Sequence, residues 1–282
     1  MAGGTILPSP ATEVSAPVHT AVVGGGAMGA AIIRGLITRG GLEPADLMVA
    51  EAVADRRAAL AEDYGIGVTG SAEAAVSGAG LLILAVKPQN FQDLAPTLRP
   101  ALDSAALVIS IMAGVTLEGL RTGLGTDRVV RVMPNIAAQV GRGASVWTAD
   151  SGVTAADRNR TRAVLGALGM EVEIEDESLI DVATAVHGSG PAYVYLLAEA
   201  WIDAAAAQGL DRDMATVLVR ETIAGSAALW QATRSEPAAL REAVTSPGGT
   251  TAAALAALED FDFPAAMRAA IDAATRRAKE LA

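Results

Sequence analysis

The chain has 282 residues, 51% of them hydrophobic, and a formal net charge of -11. Its length allows two domains with cores of their own, and no apolar run reaches the length of a membrane span. The negative charge argues against nucleic acid and anionic membrane surfaces as partners, and the lack of cysteine leaves no disulfide, thiolate nucleophile or zinc-type metal site.

Residues 1–18 form a segment of their own at the start of the sequence. They are rich in Pro, Ser, Thr and Gly, with neither the basic start nor the apolar core of a signal peptide. We therefore expect a disordered tail on a cytoplasmic protein, with the folded part beginning near residue 19.

The first predicted strand, residues 21–23, leads into the glycine-rich turn Gly24-Gly25-Gly26-Ala27-Met28-Gly29 and then into a helix. Gly-x-Gly-x-x-Gly between a strand and a helix is the fingerprint of dinucleotide binding. Its glycines serve, in order, for a tight turn, for close approach of the pyrophosphate and for packing of helix on strand. The sequence therefore predicts a nucleotide site here, with a glycine-rich turn that binds no ligand as the alternative.

Glu51 closes the next predicted strand, residues 47–50, about 20 residues after the glycine motif, the distance typical of this fingerprint. An acid at that place binds the ribose hydroxyls of the adenosine and repels a 2′-phosphate. Glu51 thus favours NADH, but Arg56 and Arg57 are close enough in sequence to compensate. The predicted cofactor is NADPH or NADH.

Strands and helices alternate along the first part of the chain. Strands are predicted at residues 21–23, 47–50, 81–86, 106–111, 129–133 and 145–148, and helices at 54–63, 71–76, 91–98 and 116–124. Such alternation is typical of a parallel sheet covered by helices on both faces. We expect a Rossmann-type dinucleotide-binding domain over residues 19–175.

Beyond residue 174 the pattern predicts helices alone, so we expect an all-helical domain over residues 176–282. The first long helix opens at Pro191 and ends at Gly209, and others follow at 213–233, 237–245, 251–260 and 264–281. One face of the first helix carries Val194, Leu197 and Trp201. Because these helices have more apolar faces than one small core can use, we expect a homodimer, with a monomer as the alternative.

The loop Ser246-Pro247-Gly248-Gly249-Thr250-Thr251 precedes one of these helices. Its glycines leave backbone N–H groups uncovered where the positive end of the helix dipole lies, so the turn can hold a small carboxylate. The hydroxyls of Thr250 and Thr251 add polar contacts beside it. The alternative is an ordinary helix N-cap, for which Ser and Thr are favoured.

Six motifs together resemble the pyrroline-5-carboxylate reductase family over essentially the whole chain after the tail. They are Gly24 to Gly29 and residues 85–89, 110–115, 131–135, 188–193 and 244–251. The Ser-Pro-Gly-Gly-Thr-Thr loop is the specific part, because the glycine fingerprint is shared with many dehydrogenases. The resemblance implies reduction of 1-pyrroline-5-carboxylate to L-proline, the last step of proline biosynthesis, by a nucleotide-binding domain followed by a helical dimerisation domain. It also implies a homodimer, with a higher oligomer such as a decamer left open.

The resemblance assigns roles residue by residue. It implies contacts with the pyrophosphate for Gly24, Gly26, Ala27, Met28 and Gly29, contacts along the nicotinamide half for Ala85, Lys87, Pro88 and Ala113, and contacts with the substrate for Glu177, Ser246, Gly248, Gly249, Thr250 and Thr251. The Gly248-Gly249 turn would hold the substrate carboxylate. Thr251 would act as the catalytic residue, with its hydroxyl hydrogen-bonded to the ring nitrogen. For Lys87, a solvated residue at a strand end is an equal alternative.

Two residues depart from the usual family pattern. His187 stands where the family usually has Ser before Gly-Ser-Gly, and for His187 we prefer a structural role to that of a proton donor. Ser71 stands where an Asn often touches the adenosine, and it is as well explained as a helix cap.

Three alternatives to this activity remain. A β-hydroxyacid dehydrogenase has a similar architecture but needs a catalytic lysine on the first long helix of the second domain, and residues 191–209 contain none. Another NAD(P)H-dependent cyclic-imine reductase, or a deazaflavin-dependent oxidoreductase, would share the first domain without explaining the Ser246 to Thr251 loop. A nucleotide-sensing binding module without turnover is the alternative from another class.

Overall fold

The computed structural model describes residues 19–281; the predicted tail, residues 1–18, and Ala282 lie outside the described residues. The described chain divides into two compact units. The first comprises residues 19–189 together with 274–281, and the second is Gly190–Ala273. The domain division at residue 175, made from the sequence, stays a prediction.

The first unit is built on one sheet, which among residues 19–281 has eight strands in the order β3-β2-β1-β4-β5-β6-β7-β8. The strands are β1 (Thr20–Val23), β2 (Leu47–Ala50), β3 (Gly67–Thr69), β4 (Leu81–Leu84), β5 (Leu107–Ser110), β6 (Val129–Pro134), β7 (Gly143–Ala149) and β8 (Gly169–Glu173). The order reverses at β1, which lies between β2 and β4. In open sheets of this kind, ligands bind beyond the carboxyl ends of the strands at such a reversal.

The register of the central strands brings three predicted cofactor residues together. Val23, the last residue of β1, is paired with Ala50 of β2 on one side and with Leu84 of β4 on the other. The residues that follow these three, Gly24, Glu51 and Ala85, therefore leave the sheet side by side at its carboxyl edge.

One strand differs from the parallel arrangement expected from the sequence. β6 and β7 are antiparallel, whereas the other neighbouring pairs of the sheet are parallel. The connection between β6 and β7 is the short stretch 135–142, which contains only the 3-10 helix Ile136–Val140. A parallel pair needs a crossover of about a dozen residues or more, so this connection can only turn the chain back.

Helices cover both faces of the sheet, as the alternation of elements predicts. They are α1 (Ala27–Thr38), α2 (Ala54–Tyr64), α3 (Ala72–Val76), α4 (Phe91–Leu98), α5 (Leu117–Leu124), α6 (Ala155–Gly166) and α7 (Leu179–Ala183). The side chains of β1 alternate between two buried clusters, with Val22 in one and Ala21 and Val23 in the other. This period of two is what a strand buried on both faces requires.

The regular elements among the described residues of the second unit are helices. Its helices are α8 (Gly190–Ala207), α9 (Arg212–Thr233), α10 (Pro237–Ala243), α11 (Thr250–Asp260) and the first part of α12 (Phe263–Leu281). Large apolar side chains on these helices face outward; Trp201 is 43% exposed and Leu197 48%. In the part of the chain that the structure describes, none of the helices is both long and apolar enough to cross a bilayer.

Candidate cofactor and substrate sites

The turn after β1 has the geometry that its three glycines predict. Gly24 has φ +106°, a backbone conformation that favours glycine, and a Cβ there would lie 2.6 Å from the Ala85 carbonyl oxygen. A Cβ at Gly29 would collide with the Gly24 carbonyl oxygen, so the third glycine lets α1 pack against the turn. A Cβ at Gly26, in contrast, would meet no atom within 4 Å. The turn is therefore open on the Gly26 side.

This open side lies at the N-terminus of α1. Gly26 is the N-cap of the helix and makes no side-chain cap hydrogen bond, so the cap position itself leaves the N–H groups of the first turn, formed by Ala27, Met28 and Gly29, without a side-chain acceptor. Uncovered N–H groups and the positive end of the helix dipole suit a phosphate anion. The residues present therefore fit the pyrophosphate of a dinucleotide.

Glu51 is buried beside this turn, with a side-chain exposure of 5%. Its Oε2 accepts a hydrogen bond from the Gly25 N–H at 2.8 Å, and its Oε1 accepts from the Val53 N–H at 2.8 Å and from Arg56 at 3.0 Å. Burial would raise the pKa of the Glu51 carboxyl, but the bonds from Val53, Arg56 and Gly25 outweigh burial and hold that pKa below its usual value. Glu51 is therefore an ionised side chain that ties the end of β2 to the glycine turn.

The predicted role of Glu51 in reading the ribose stays a prediction. A carboxylate oxygen can accept two hydrogen bonds, and Oε2 uses one of its sites for Gly25. One acceptor site is therefore left for a hydroxyl. Arg57 donates to the Glu51 carbonyl oxygen at 2.6 Å, and Arg56 is 55% exposed beside it.

The residues predicted along the nicotinamide half follow β4 and β5 at the same edge of the sheet. Ala85 contacts the glycine turn, while Lys87 is exposed and is the N-cap of the 3-10 helix Pro88–Asn90. Pro88 and Ala113 line one cleft of about 1130 Å³, together with Phe91, Val115 and others. The structure thus brings Pro88 and Ala113 to a common space.

Ser71 is a helix cap in the structure. Its hydroxyl oxygen accepts from the Ala74 N–H at 3.1 Å, and the hydroxyl donates to Glu73 at 2.7 Å. The cap at the start of α3 is one of the two roles considered from the sequence. The contact with adenosine stays a prediction.

Glu177, predicted to contact the substrate, belongs to a buried ionic cluster in the first unit. Arg131, on β6, donates to Glu177 at 2.9 Å and to Asp181 at 3.0 Å, and the Leu117 N–H donates to the same oxygen of Glu177 at 2.9 Å. The side chain of Arg131 is 5% exposed and that of Glu177 30%. The cluster ties the start of α5 and the segment around α7 to the middle of β6.

His187 lies in a π-helical turn, Thr184–Gly188, directly after α7. Its Nδ1 is 2.6 Å from the Ala183 carbonyl oxygen, and its Nε2 is 2.7 Å from that of Met133. Both ring nitrogens are therefore engaged with the backbone, which agrees with the structural role preferred from the sequence.

The predicted substrate loop precedes α11 in the second unit. Gly248 has φ +69°, and the N-cap of α11, Gly249, makes no side-chain cap hydrogen bond. The alternative of an ordinary N-cap by a Ser or Thr side chain is therefore not what the structure has. Thr250 and Thr251 form the first turn of α11, and most of the loop from Ser246 onward is exposed. Uncovered N–H groups and two hydroxyls meet at this helix end.

Sequence reasoning missed the ionic cluster and the two carbonyl contacts of His187. A signal for the cluster was present, because Arg131 interrupts the apolar run of β6 and a buried arginine needs acidic partners. Which acids those are depends on the path of residues 174–189, which no periodicity fixes. The partners of His187 are backbone atoms, which leave no mark in a sequence.

Comparison with known proteins covers both units. A family model of the pyrroline-5-carboxylate reductase dimerisation domain matches residues 177–281, and a model of coenzyme F420-dependent NADP oxidoreductases matches residues 19–114. The second match concerns only the nucleotide-binding part, so a deazaflavin-dependent oxidoreductase would leave the match at residues 177–281 unexplained.

Whole proteins of one family resemble the chain over nearly its full length. The pyrroline-5-carboxylate reductase of Pseudomonas aeruginosa is 40% identical over 263 residues, 93% of this chain and 96% of that protein. The structure of such a reductase from Coxiella burnetii matches with a TM-score of 0.89 and 33% identity, over 95% of this chain and 99% of that one. The Plasmodium falciparum enzyme, crystallised with NADP bound, matches with a TM-score of 0.84 and 29% identity, over 94% and 98%. The chain therefore belongs to the pyrroline-5-carboxylate reductase family.

Proposed function

We propose that this protein reduces 1-pyrroline-5-carboxylate to L-proline with NADPH or NADH, the last step of proline biosynthesis. The observation that carries the proposal is the uncapped N-terminus of α11 behind Gly248 and Gly249, in a chain whose other unit presents an open dinucleotide turn at Gly26. One helix end suits the carboxylate of a small substrate, and the other suits the pyrophosphate of a nicotinamide cofactor. Membership of the reductase family supports this assignment of the two ligands.

The first unit binds and orients the cofactor. In our proposal the N–H groups of Ala27, Met28 and Gly29 hold the pyrophosphate, and Gly24 and Gly26 let it approach the backbone. Ala85, Lys87, Pro88 and Ala113 border the nicotinamide half. Glu51 fixes the turn through Gly25 and offers its remaining acceptor site to the ribose. Ser71, as the cap of α3, supports the adenosine side.

The second unit binds the imine. The N–H groups behind Gly248 and Gly249 hold the carboxylate, Ser246 and Thr250 border it, and the Thr251 hydroxyl hydrogen-bonds the ring nitrogen. NADPH or NADH, when held by the first unit, would supply the hydride that reduces the imine carbon. The imine nitrogen takes a proton and becomes a secondary amine, so the residues need only position the ring and hold its nitrogen, and no strong base or covalent nucleophile is required. In our proposal Glu177, which is paired with Arg131 in the ionic cluster, also contacts the substrate.

Cofactor consumption with the substrate and a matched variant tests this proposal. Wild-type protein should consume NADPH or NADH with 1-pyrroline-5-carboxylate and more slowly with cyclic imines that lack the carboxylate. Thr251→Val keeps the shape and removes the hydroxyl; it should lower kcat about tenfold or more, the loss expected for a hydrogen bond to a charged group, and leave cofactor binding unchanged. Thr222→Val is the control, because the Thr222 hydroxyl donates only to the Leu218 carbonyl of its own helix. Equal turnover of the Thr251 and Thr222 variants would remove Thr251 from the mechanism.

The chain forms a homodimer through its dimerisation domain, to which residues 177–281 belong. We further propose that dimers can assemble into a higher oligomer such as a decamer, since apolar side chains on several helices of the second unit are exposed. We also propose a cytoplasmic location. A composition without cysteine supports it, because the fold needs no oxidising compartment in which to form disulfides.

A further inference from the structure

Each ring nitrogen of His187 faces a backbone carbonyl oxygen. A backbone carbonyl oxygen only accepts hydrogen bonds, and one such oxygen lies 2.6 Å from Nδ1 and another 2.7 Å from Nε2. A neutral imidazole has a single N–H, so it would turn a lone pair towards one of the two oxygens at close range. The doubly protonated imidazolium instead donates to both, and a bond from a charged donor is the stronger kind.

These two bonds join a π-helical turn to the end of β6. Nδ1 bonds within the turn, to Ala183, while Nε2 bonds across to Met133. A third bond supports the same junction, because the Asn135 side-chain amide donates to the His187 carbonyl oxygen at 3.2 Å. Isolated π-helical turns are rare and often lie at functional sites. The side chain and the backbone of His187 thus both hold the turn.

The junction lies next to residues expected at the reacting end of the cofactor. Met133 and Thr184 line a small cavity of about 40 Å³ together with Ala113, one of the residues predicted along the nicotinamide half. Glu177 and Asp181, bound to Arg131 of β6, lie in the same segment of chain as the turn. A displacement of the turn would therefore reach residues that border both ligands.

The elements joined by His187 also carry a cluster of charged side chains. β6 contributes Arg131, and the segment that leads into and through α7 contributes Glu177 and Asp181. One positive and two negative side chains leave a net charge of -1 in this cluster. These charges are paired among themselves, and an imidazolium at His187 needs no further partner for its N–H groups, because each faces a carbonyl oxygen.

We propose that His187 is a positioning residue of the reductase: as an imidazolium it fixes the π-helical turn against the end of β6, and on losing a proton it releases one of the two bonds. The kinetic part of this proposal rests on the proposed function, because it uses turnover as a readout. The protonation state of His187 does not depend on the proposed function, and it can be measured without substrate.

Nitrogen NMR of the imidazole rings tests the protonation state directly. The chain has only two histidines, His19 and His187, so His19→Asn leaves a single ring to observe. At about pH 7, where unperturbed imidazoles are mostly neutral, both ring nitrogens of His187 should show the chemical shift of a protonated nitrogen. A neutral tautomer with one N–H at this pH would overturn the proposal.

The pH profile of turnover tests the positioning role. His187→Ser introduces the residue usual at this position and can make at most one of the two bonds. In the wild type, kcat should fall as the pH rises and the imidazolium loses its proton, by about tenfold if one charge-assisted bond is lost. His187→Ser should lack this step, with the cofactor KM unchanged, and His19→Asn should keep it. Superimposable profiles of wild type and His187→Ser would refute the role.

The two measurements also separate this proposal from the proposed reaction. If 1-pyrroline-5-carboxylate is not reduced while both nitrogens are protonated, the reaction is wrong and the assignment of the imidazolium holds. If the reaction proceeds with a neutral His187, the reaction holds and the positioning role is wrong. Should His187→Ser fail to fold, the NMR spectrum of the His19→Asn variant still tests whether His187 is an imidazolium.

Discussion

The Glu51 carboxylate accepts a hydrogen bond from the Gly25 N–H at 2.8 Å, which joins the end of β2 to the turn after β1. The two residues are 26 positions apart in the chain and meet because their strands are neighbours in register. Glu51 therefore shapes the turn from the end of the neighbouring strand, and its contact with the ribose stays a prediction.

Glu51→Gln should weaken the binding of both cofactors. The Gly25 and Val53 N–H groups donate to different oxygens of Glu51. Glutamine replaces one of these oxygens with an NH2 group, which one of the two N–H groups would then face. Dissociation constants measured by cofactor fluorescence should rise about tenfold, and more for NADH, whose ribose hydroxyls the acid can accept from. Arg56→Gln, which removes only the exposed partner, should have a smaller effect. Equal affinities in wild type and Glu51→Gln would contradict this role.

Gly248→Ala should raise the KM for the substrate and leave that for the cofactor unchanged. At φ +69° a side chain costs about 1 to 2 kcal/mol, which the loop can avoid only by turning its N–H groups away from the carboxylate. Gly166→Ala is the matched control, because Gly166 ends α6 with an ordinary φ and a Cβ there meets no atom within 4 Å. The prediction fails if both variants show the substrate KM of the wild type in steady-state assays.

Trp201→Glu should abolish the dimer and the activity together. Trp201, Val194 and Leu197 lie on α8 with more than two fifths of each side chain exposed in the single chain, as expected for a face that packs on a partner. A charge in the middle of an apolar interface would be buried without a partner. Ser104→Glu, which adds the same charge on an exposed turn of the first unit, should leave both unchanged. Light scattering gives the oligomeric state and an assay on the same sample gives the activity. A fully active Trp201→Glu dimer would show that this face of α8 is not the dimer interface.

Acid should remove a defined part of the stability of the first unit through Asp157. Burial would raise the pKa of this carboxyl, but bonds from Thr154 and Arg128 outweigh it and lower the pKa. A lowered folded-state pKa contributes stability that is full above the ordinary carboxyl range, about pH 4, and is lost as the pH falls from there through the folded-state pKa. Urea unfolding should therefore separate Asp157→Asn from the wild type widely at neutral pH and much less near pH 3.

The matched control for this titration is Asp63→Asn. Asp63 is exposed in the last turn of α2, so its replacement should shift the urea midpoint little at either pH. If the midpoints of wild type and Asp157→Asn stayed equally far apart from neutral pH down to about pH 3, the capping and ionic bonds of Asp157 would not be the cause.

The sequence predicted the strands that form apolar runs and most of the helices between them. β2 and α4 have the predicted bounds, and the other predicted strands and helices lie within a few residues of theirs. β3 was missed because it has three residues, and β8 because Glu171 and Glu173 alternate with its apolar residues at the edge of the sheet. α6 was missed because Asp157, Arg158 and Arg160 break any apolar stripe. The antiparallel direction of β7 was not predicted, because it depends on the short connection between β6 and β7, and the polarity pattern of a strand does not reveal its direction.

The two glycine turns could be located from the sequence because glycine patterns report backbone geometry directly. Gly24 and Gly248 both have the positive φ that such turns require. The partners of Glu51, Glu177 and His187 could not be predicted, since each is decided by which strand or turn lies opposite in the folded chain. Residues that bind through their backbone are thus visible in a sequence, whereas residues that act through a distant partner are not.

Isotope transfer tests the central claim most directly. The protein would be incubated with 1-pyrroline-5-carboxylate and NADPH or NADH that carries deuterium at C4 of the nicotinamide, on one face and then on the other. With one of the two labelled faces, the account predicts L-proline that carries the deuterium at C5, seen by mass spectrometry. No proline, or unlabelled proline from both preparations, would contradict hydride transfer to the imine carbon.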